Sequence, residues 1–499
     1  MFWRPPCIGY SPDNYLVFPG EPFQGLSLHL SVMKPTLSVL LGYVFVLVPF
    51  WAQYAGIQFP PLVFALSYLF GLAVWAAGYY QMIRYGTSAE LNLLFVLGLA
   101  LFATMPPHIS KDIYVYLLEG KLALNGHLTY TDGAANLLDP FYVFIDPHWL
   151  DCPNQYGPVA LFFFKAIAWL GGENVFLGIL SMKLIDVVWS VCIFYTVKYI
   201  AKATQLNAVR AQILICLNPV FFIQGLGQMH IDLLSCVLVC GFLYAIAQNR
   251  LILAGIMIGL MGATKVMLFP LFWGLLLVYA AYSWHQKTLN FKALAWSVLY
   301  SIAVFGLAYW PVWQGLDTIR IPMAYHENKE PVKSVVELLS YLLAYVWPQS
   351  GPNYGNLDPY LTDKIYWGHQ LKPVFQILAL LIAARLVSSV IYAKNISQLF
   401  YGFCRIMLLV FILYSPVVHA WYFLIVLPFF AVSEPRREVI WFAVISFTLA
   451  NTYEIGLTVG TKVGSLIMIL FTVISVLSYF LFFRKFYFES DKARKLDTR

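Results

Sequence analysis

Apolar runs long enough for helices recur along almost the whole chain, and short polar breaks between them carry much of the charge. Read as helices, they fall near Thr36 to Gly56, Pro61 to Ile83, Glu90 to Pro107, Val175 to Val197, Ala208 to Gly225, His230 to Gln248, Leu251 to Leu268, Pro270 to Tyr282 and Ala293 to Pro311. Four or five further runs end near Phe483. Several are shorter than the roughly 20 residues a helix needs to cross hydrocarbon. The pattern predicts an all-α, polytopic integral membrane protein with about 13 spans, one transmembrane domain over residues 1–499. Pro158 to Gly172 is expected to be re-entrant or interfacial, because a further crossing there would reverse the charge pattern behind it. Two longer polar stretches interrupt the series, residues 108–157 and 312–372.

Basic residues sit in alternate short breaks: Arg84, then Lys198, Lys202 and Arg210, then Arg250, Lys287 with Lys292, Lys394, Arg436 with Arg437, and Arg484 with Lys485. Cytoplasmic loops carry the excess of Lys and Arg. This threading puts the segment 1–35 and the basic tail 484–499 in the cytoplasm, and both long polar stretches on the extracytoplasmic face. Asn395-Ile-Ser397 matches a glycosylation sequon but falls inside.

Composition agrees with the pattern: 61% of residues are hydrophobic and 11% charged, with a mean hydropathy of +0.73. Soluble domains carry about a quarter charged residues. The start, Met-Phe-Trp-Arg-Pro-Pro-Cys, lacks the features of a cleaved secretory signal, so the first span is expected to remain as an anchor. Cys192, Cys216, Cys236, Cys240 and Cys404 lie in apolar runs, where they read as small hydrophobes; no disulfide framework or Cys-ligated metal is indicated. The net charge of +7 follows from juxtamembrane Lys and Arg, and no nucleic-acid partner is expected.

The threading also gathers ionisable residues from distant segments toward one membrane face. They are Asp112, Glu119, Asp132, Asp139, Asp146, Asp151, then Gln228, His230 and Asp232, then Lys265, then Arg320, His326 and Glu327, and His419. Ionisable groups in a membrane chain mark function by default, although loops on any face are polar. A helix should open the first polar stretch, with Ser110 as its cap, Asp112 in the first turn where the dipole favours an anion, and Asn125-Gly126 as its stop. Glu119 would lie two turns on, about 10 Å from Asp112 and too far to share a proton, with Tyr116 between them. Asp112 is then either a general base or a dipole-compensating surface acid.

In order along the chain stand Ser110-Lys-Asp112-Ile-Tyr-Val-Tyr116-Leu-Leu-Glu119-Gly120, Asn125-Gly126-His-Leu-Thr-Tyr130, Leu137-Leu-Asp-Pro-Phe141, His148-Trp149 and Gln155-Tyr156-Gly157-Pro158. Asn218-Pro219, Gly227-Gln-Met-His230-Ile-Asp232, Gly262-Ala-Thr-Lys265 and His419-Ala-Trp421-Tyr422 follow. Over about Leu93 to Pro428 this ordered set resembles the GT-C glycosyltransferases, and more narrowly the polyprenyl-phosphate-mannose-dependent α-mannosyltransferases of the bacterial lipomannan type. Two positions depart from that family's usual pattern: Ile231 stands where it has Asn, and Ala420 where it has Pro.

The resemblance implies an inverting, multi-pass enzyme of a bacterial plasma membrane. It would move a hexose, mannose by expectation, from a polyprenyl-phosphate donor to a glycan or glycolipid acceptor at the outer face. Asp112 would be the catalytic base, in a catalytic first loop at 108–157. Tyr116, Glu119, Tyr156, His230, Asp232, Lys265, Arg320, His326 and His419 would contact substrate. Lys265 is the first candidate for the donor phosphate, since a lysine within the bilayer is costly unless paired or wet; a snorkelling lysine is the alternative. His419 beside Trp421-Tyr422 suits either sugar contact or an interfacial anchor. The Tyr- and Trp-rich flanks, with Trp310, Trp313, Tyr354, Tyr360, Tyr366 and Trp367, suit either a headgroup belt or sugar stacking.

Asp186 and Lys183, three residues apart in one apolar run, predict a structural ion pair. No cofactor is expected. The acids at 132, 139, 146 and 151 match no established metal-loop spacing, so no required metal is expected. The apolar segment Val335 to Trp347 is expected to lie in the interface over the site, where it would guide a lipid. Two other classes remain open. A transporter or flippase of lipid-linked sugars would place its charge near the midplane. A lipid-linked glycan ligase or polymerase would be expected to rely on arginine pairs in its large loop, and Arg320 is the single arginine between Leu251 and Ala384.

Overall fold

In the computed structural model, residues 34–57, 59–107, 110–127, 130, 144–145, 153–328, 334–347, 359–415 and 419–433 are described. The acids at 132, 139, 146 and 151, the N-terminal segment and the final spans with the basic tail lie outside them. The described residues form helices and no strands. In chain order these are α1 (Pro35–Tyr54), α2 (Pro61–Tyr85), α3 (Ser88–Ala103), α4 (Asp112–Leu124), α5 (Pro158–Gly171), α6 (Val175–Ala203), α7 (Ala208–Cys216) and α8 (Asp232–Ala247). After them come α9 (Leu251–Gly262), α10 (Leu268–His285), α11 (Phe291–Tyr309), α12 (Asp317–Asn328), α13 (Val335–Val346), α14 (Pro359–Val390), α15 (Ile396–Leu409) and α16 (Phe423–Ala431).

Among the described residues six helices are long and apolar enough to cross a membrane: α1, α2, α6, α10, α11 with its short extension to Val312, and α14 from Lys364. A seventh arises if α7 and the π-helical segment Phe221–Gly227, bent by 60°, are one broken span. The expectation of about 13 is not reached among the described residues. Three expected spans, α3, α8 and α9, have 16, 16 and 12 residues, or about 18–24 Å at 1.5 Å per residue. Pro158 to Gly172 forms α5, whose 14 residues are likewise short for a crossing. The second polar stretch holds α12 and α13 but also the start of α14, so the span expected after Lys372 begins at Pro359. Lys364 on α14 reaches Glu337 on α13 at 2.8 Å, and this pairing lets the helix extend through polar sequence.

Helix starts follow their capping residues. Thr87 and Glu90 form a reciprocal capping box at α3, and the side chains of Asn174, Asn207, Asn290 and Asn395 cap α6, α7, α11 and α15. The break between α7 and the π-helical segment falls at Asn218-Pro219, where proline brings no N–H. Two carbonyls beside it take donors from α2: Tyr79 Oη donates to Leu214 O at 2.7 Å, and Trp75 Nε1 to Leu217 O at 3.1 Å. Apolar surroundings demand such partners for every backbone group. Around the break, Tyr43, Trp75, Phe102 and Phe222 pack ring against ring, with centroids 4.5–6.3 Å apart. This aromatic knot fixes where the polypeptide emerges toward residues 228–232.

The pair expected between Lys183 and Asp186 on α6 does not form. Lys183 Nζ instead donates to Leu226 O at 2.6 Å, Gly227 O at 2.7 Å and Phe102 O at 3.3 Å. Both carboxylate oxygens of Asp186 are buried without a hydrogen-bond partner among the described residues. Carbonyls left over at helix ends compete for the ammonium as well as a carboxylate does, and they sit where its three N–H groups point.

Candidate active site

Asp112 opens α4. Its amide donates to Ser110 Oγ at 3.2 Å, and Ser110 N donates to Gln228 Oε1 at 3.0 Å. The N-cap is not the expected Ser110: Lys111 occupies that position without a side-chain cap, and Ser110, one residue earlier, accepts from the Asp112 amide instead. Asn125 and Gly126, with φ +80°, end the helix as expected. Gln228 follows the π-helical segment, and Met229, at φ +57°, turns the chain so that His230 comes back toward α4.

His230 Nδ1 lies 3.3 Å from Asp112 Oδ2, within ion-pair distance but off the line of a full hydrogen bond. His230 is fully buried, whereas the Asp112 side chain keeps one fifth of its surface exposed. Burial alone would raise the Asp112 carboxyl. The contacts with His230 and Ser110 and the charge of Lys265 outweigh it and hold Asp112 below its ordinary range. Asp112 is thus an ionised carboxylate at the edge of a cleft.

That cleft is lined by Asp112, Val115, Tyr116, Glu119, Asn154 and Tyr156 together with Pro153 and Gln155, and its enclosed part, ≈ 20 Å³, has room for about one water. Glu119 is buried, and desolvation pushes its carboxyl well above the usual range. A neutral carboxyl both donates and accepts one hydrogen bond, and Glu119 Oε2 has no partner among the described residues. Tyr116 and Tyr156 meet hydroxyl to hydroxyl at 3.3 Å, and burial keeps both phenols protonated. The Tyr116 ring stacks on Phe164 of α5 at 4.3 Å, and its hydroxyl takes the Ile231 amide at 3.5 Å.

Lys265 follows the end of α9 and grips Asp232, at the start of α8, with Nζ 2.8 Å from each carboxylate oxygen. The ammonium also lies 5.1 Å from the Tyr422 ring centre and 5.5 Å from that of Tyr156. Tyr156 is held there by the backbone: Gly157 N donates to Thr264 O and Val159 N to Ala263 O, both at 2.8 Å. A Cβ at Gly157 would run into the Ala263 carbonyl, so this close approach requires glycine. Trp421 lies between two imidazoles, stacked on His230 at 3.9 Å and on His419 at 4.3 Å.

Asp112, Tyr116, Glu119, Tyr156, His230, Asp232, Lys265 and His419 therefore come together from five separate stretches of chain. Arg320 is exposed on α12 and is not among these contacts, and the His326 side chain lies outside the described residues. Asn154 and Trp421 belong to the site as lining groups that sequence alone did not single out as such. The four-residue string His419-Ala-Trp421-Tyr422 was the available signal for Trp421. Among the described residues no group of three or more His, Cys, Asp or Glu side chains is arranged to hold a metal ion.

An ionised acid, a buried neutral acid and a paired lysine thus sit beside apolar helices of membrane length in a polytopic all-α membrane protein. The chain belongs to the family described as alpha-(1->6)-mannopyranosyltransferase, N-terminal domain, which matches residues 31–282. It is similar to alpha-(1->6)-mannopyranosyltransferase A of Corynebacterium glutamicum, 30% identical over 144 residues that make up 29% of each chain. Alpha-(1->6)-mannopyranosyltransferase B of the same organism is 24% identical over 265 residues, 51% of this chain and 37% of that one. A Mycobacterium tuberculosis alpha-(1->6)-mannopyranosyltransferase is 28% identical over 128 residues, 25% of this chain and 22% of the relative. The aligned stretches thus span well under half the length of these curated relatives.

Proposed function

We propose that the protein is an inverting GT-C glycosyltransferase that moves mannose from a polyprenyl-phosphate donor to a hydroxyl of a glycan or glycolipid at the extracytoplasmic membrane face. The observation that carries this reading is the ionised Asp112 sharing a site with the Lys265 ammonium, in a chain of the mannopyranosyltransferase family. Asp112 takes the proton of the acceptor hydroxyl as that oxygen attacks the anomeric carbon. The bond from that carbon to the phosphate oxygen breaks, and its electron pair leaves with the phosphate, whose charge Lys265 offsets. One displacement inverts the centre, so a β-linked donor gives an α-mannoside.

Glu119, Tyr116, Tyr156, His230, Asp232 and His419 form the substrate-facing wall, and Glu119 supplies a neutral donor to a sugar hydroxyl. Arg320 and His326 are assigned to the second extracytoplasmic segment, 312–372, as outlying contacts for anionic substrate. A lipid-borne donor is supported by an apolar groove of ≈ 560 Å³ between α5 and α11, lined by Leu124, Phe162, Trp169, Leu307 and Pro311 among others. Its Pro158 end directly follows Tyr156-Gly157. The alternation of Arg and Lys along the chain supports an extracytoplasmic catalytic loop at 108–157 and cytoplasmic termini, and the bacterial relatives support a bacterial plasma membrane setting.

Membranes holding the protein should transfer radiolabelled mannose from polyprenyl-phosphate mannose to a mannoside acceptor, and Asp112→Asn should lower the rate by about 10²–10⁴-fold. Unchanged transfer by Asp112→Asn removes Asp112 as the base. Labelling of a cysteine placed at Lys111 from the cytoplasmic side alone overturns the topology.

A further inference from the structure

We propose that Lys183, buried in the membrane-length helix α6, is a positioning residue for the Asp112–His230 pair; this rests on Asp112 acting as the base. Lys183 is 4% exposed, and its Nζ is shared among three carbonyls: Leu226 and Gly227 at 2.6 and 2.7 Å, and Phe102 at 3.3 Å. The ammonium form carries three N–H donors, one for each of the three carbonyls, which can only accept. A cation is also what the negative end of a helical segment favours.

The three acceptors belong to the two segments that carry the catalytic pair. Phe102, near the end of α3, leads to Met105 and on toward Ser110 and Asp112. Gly227, at the end of the π-helical segment, leads through Gln228 and Met229 to His230. Gln228 cross-links the same two segments, accepting from Ser110 N at 3.0 Å and donating to Met105 Sδ at 3.8 Å. Met229 holds a left-handed conformation at φ +57°, which a non-glycine residue keeps only where its surroundings over-determine it. The lysine clamp lies two residues before that turn. Both partners of the Asp112–His230 contact therefore depart from one ammonium.

Lys183 is not among the main influences on the Asp112 carboxyl. The groups that set the Asp112 carboxyl are His230, Ser110 and Lys265, with Tyr116, Tyr156, Asp232 and Glu119 around the same site. Loss of the Asp112–His230 contact after substitution of Lys183 is read from the coupling between the two residues, which loss of charge alone leaves in place.

The test uses full-length Lys183→Met and Lys183→Gln in membranes and in detergent. Misplacement of the pair by about 1 Å lowers kcat by roughly 10²-fold, with KM for the lipid donor little changed. The acid limb of the rate profile moves to higher pH as Asp112 loses His230, whereas a variant that only lowers the folded fraction scales the amplitude and leaves the limb in place. A readout independent of transfer is the NMR signal of His230 in ¹³C-histidine-labelled protein, assigned by its loss in His230→Asn. Asp112→Asn should shift that signal when Lys183 is present and shift it much less when combined with Lys183→Met. An equal shift in both backgrounds, or a wild-type acid limb, overturns the proposal. Where Lys183→Met fails to fold, Lys183→Gln, which retains two N–H donors, carries the same comparison. If the wild type transfers no mannose while the NMR coupling behaves as stated, the functional reading fails and the positioning role stands.

Discussion

Lys265 and Asp232 offer a way to separate what a residue does for the fold from what it does for the reaction. Asp232 is 1% exposed and holds two oxygens at 2.8 Å from a lysine that is itself only 16% exposed. Lys265→Met leaves that carboxylate buried without its cation, and breaking such a pair from one side destabilises by about 3–5 kcal/mol. Removing both charges in Lys265→Met/Asp232→Asn is close to neutral for buried pairs, so the double variant should regain most of the lost stability. Transfer should not return with it. The charge that offsets the leaving phosphate is gone in both variants, and loss of one such stabilising group is worth roughly 10²–10³ in kcat, about 2.7–4 kcal/mol. Thermal unfolding in detergent and mannose transfer from polyprenyl phosphate, measured on the same preparations, read the two quantities separately. Recovery of transfer to within a few fold in the double variant would mean that Lys265 serves only as the counterion of Asp232.

Because Asp112 is held below its ordinary range, transfer should stay constant as pH falls to about 4 and decline below it; His230→Asn should move that decline upward, read from kcat against pH. Glu119 is raised by burial, so the unfolded chain ionises it first and its contribution to stability fades as pH rises above about 4.5. Glu119→Gln should consequently unfold at a higher temperature than wild type at pH 8 and differ little at pH 4, measured by melting in detergent. Gly157→Ala drives a methyl into the Ala263 carbonyl and should destabilise by about 1–3 kcal/mol while displacing Tyr156 from Lys265, seen as lowered melting with a raised KM for the donor. Trp421→Ala removes the ring between His230 and His419 and should lower transfer more than it lowers the melting temperature, checked on one sample by both assays.

Much of this arrangement was legible from residue order. The stop of α4 at Asn125-Gly126 and the start of α8 within two residues of His230 follow from local rules that glycine and short polar side chains obey wherever they occur, whereas α9 ends at Gly262 although its apolar run reads on to Leu268. The threading of basic loops and apolar runs grouped Asp112, His230 and Lys265 without contact information, and the structure brings the three into one site. Partner choice was less legible. The spacing of Lys183 and Asp186 says that two side chains can meet along a helix, and it is silent about carbonyls freed by a break more than forty residues away. The break at Asn218-Pro219 was hidden inside a continuous apolar run, because aromatic neighbours from α1, α2 and α3 decide whether freed backbone groups find donors. The early start of α14 depended likewise on Glu337, a residue 27 positions before Lys364.

The ring sandwich of His230, Trp421 and His419 joins residues that lie on either side of residue 282, where the match to the N-terminal domain of the family ends. Asp112, His230 and Lys265 lie within that match, while the indole and the second imidazole come from a later part of the chain. Exchanging the C-terminal halves of two relatives would keep the proton-accepting apparatus and change the wall it faces. Such chimeras are the natural route to altering which acceptor is glycosylated while leaving the chemical step in place.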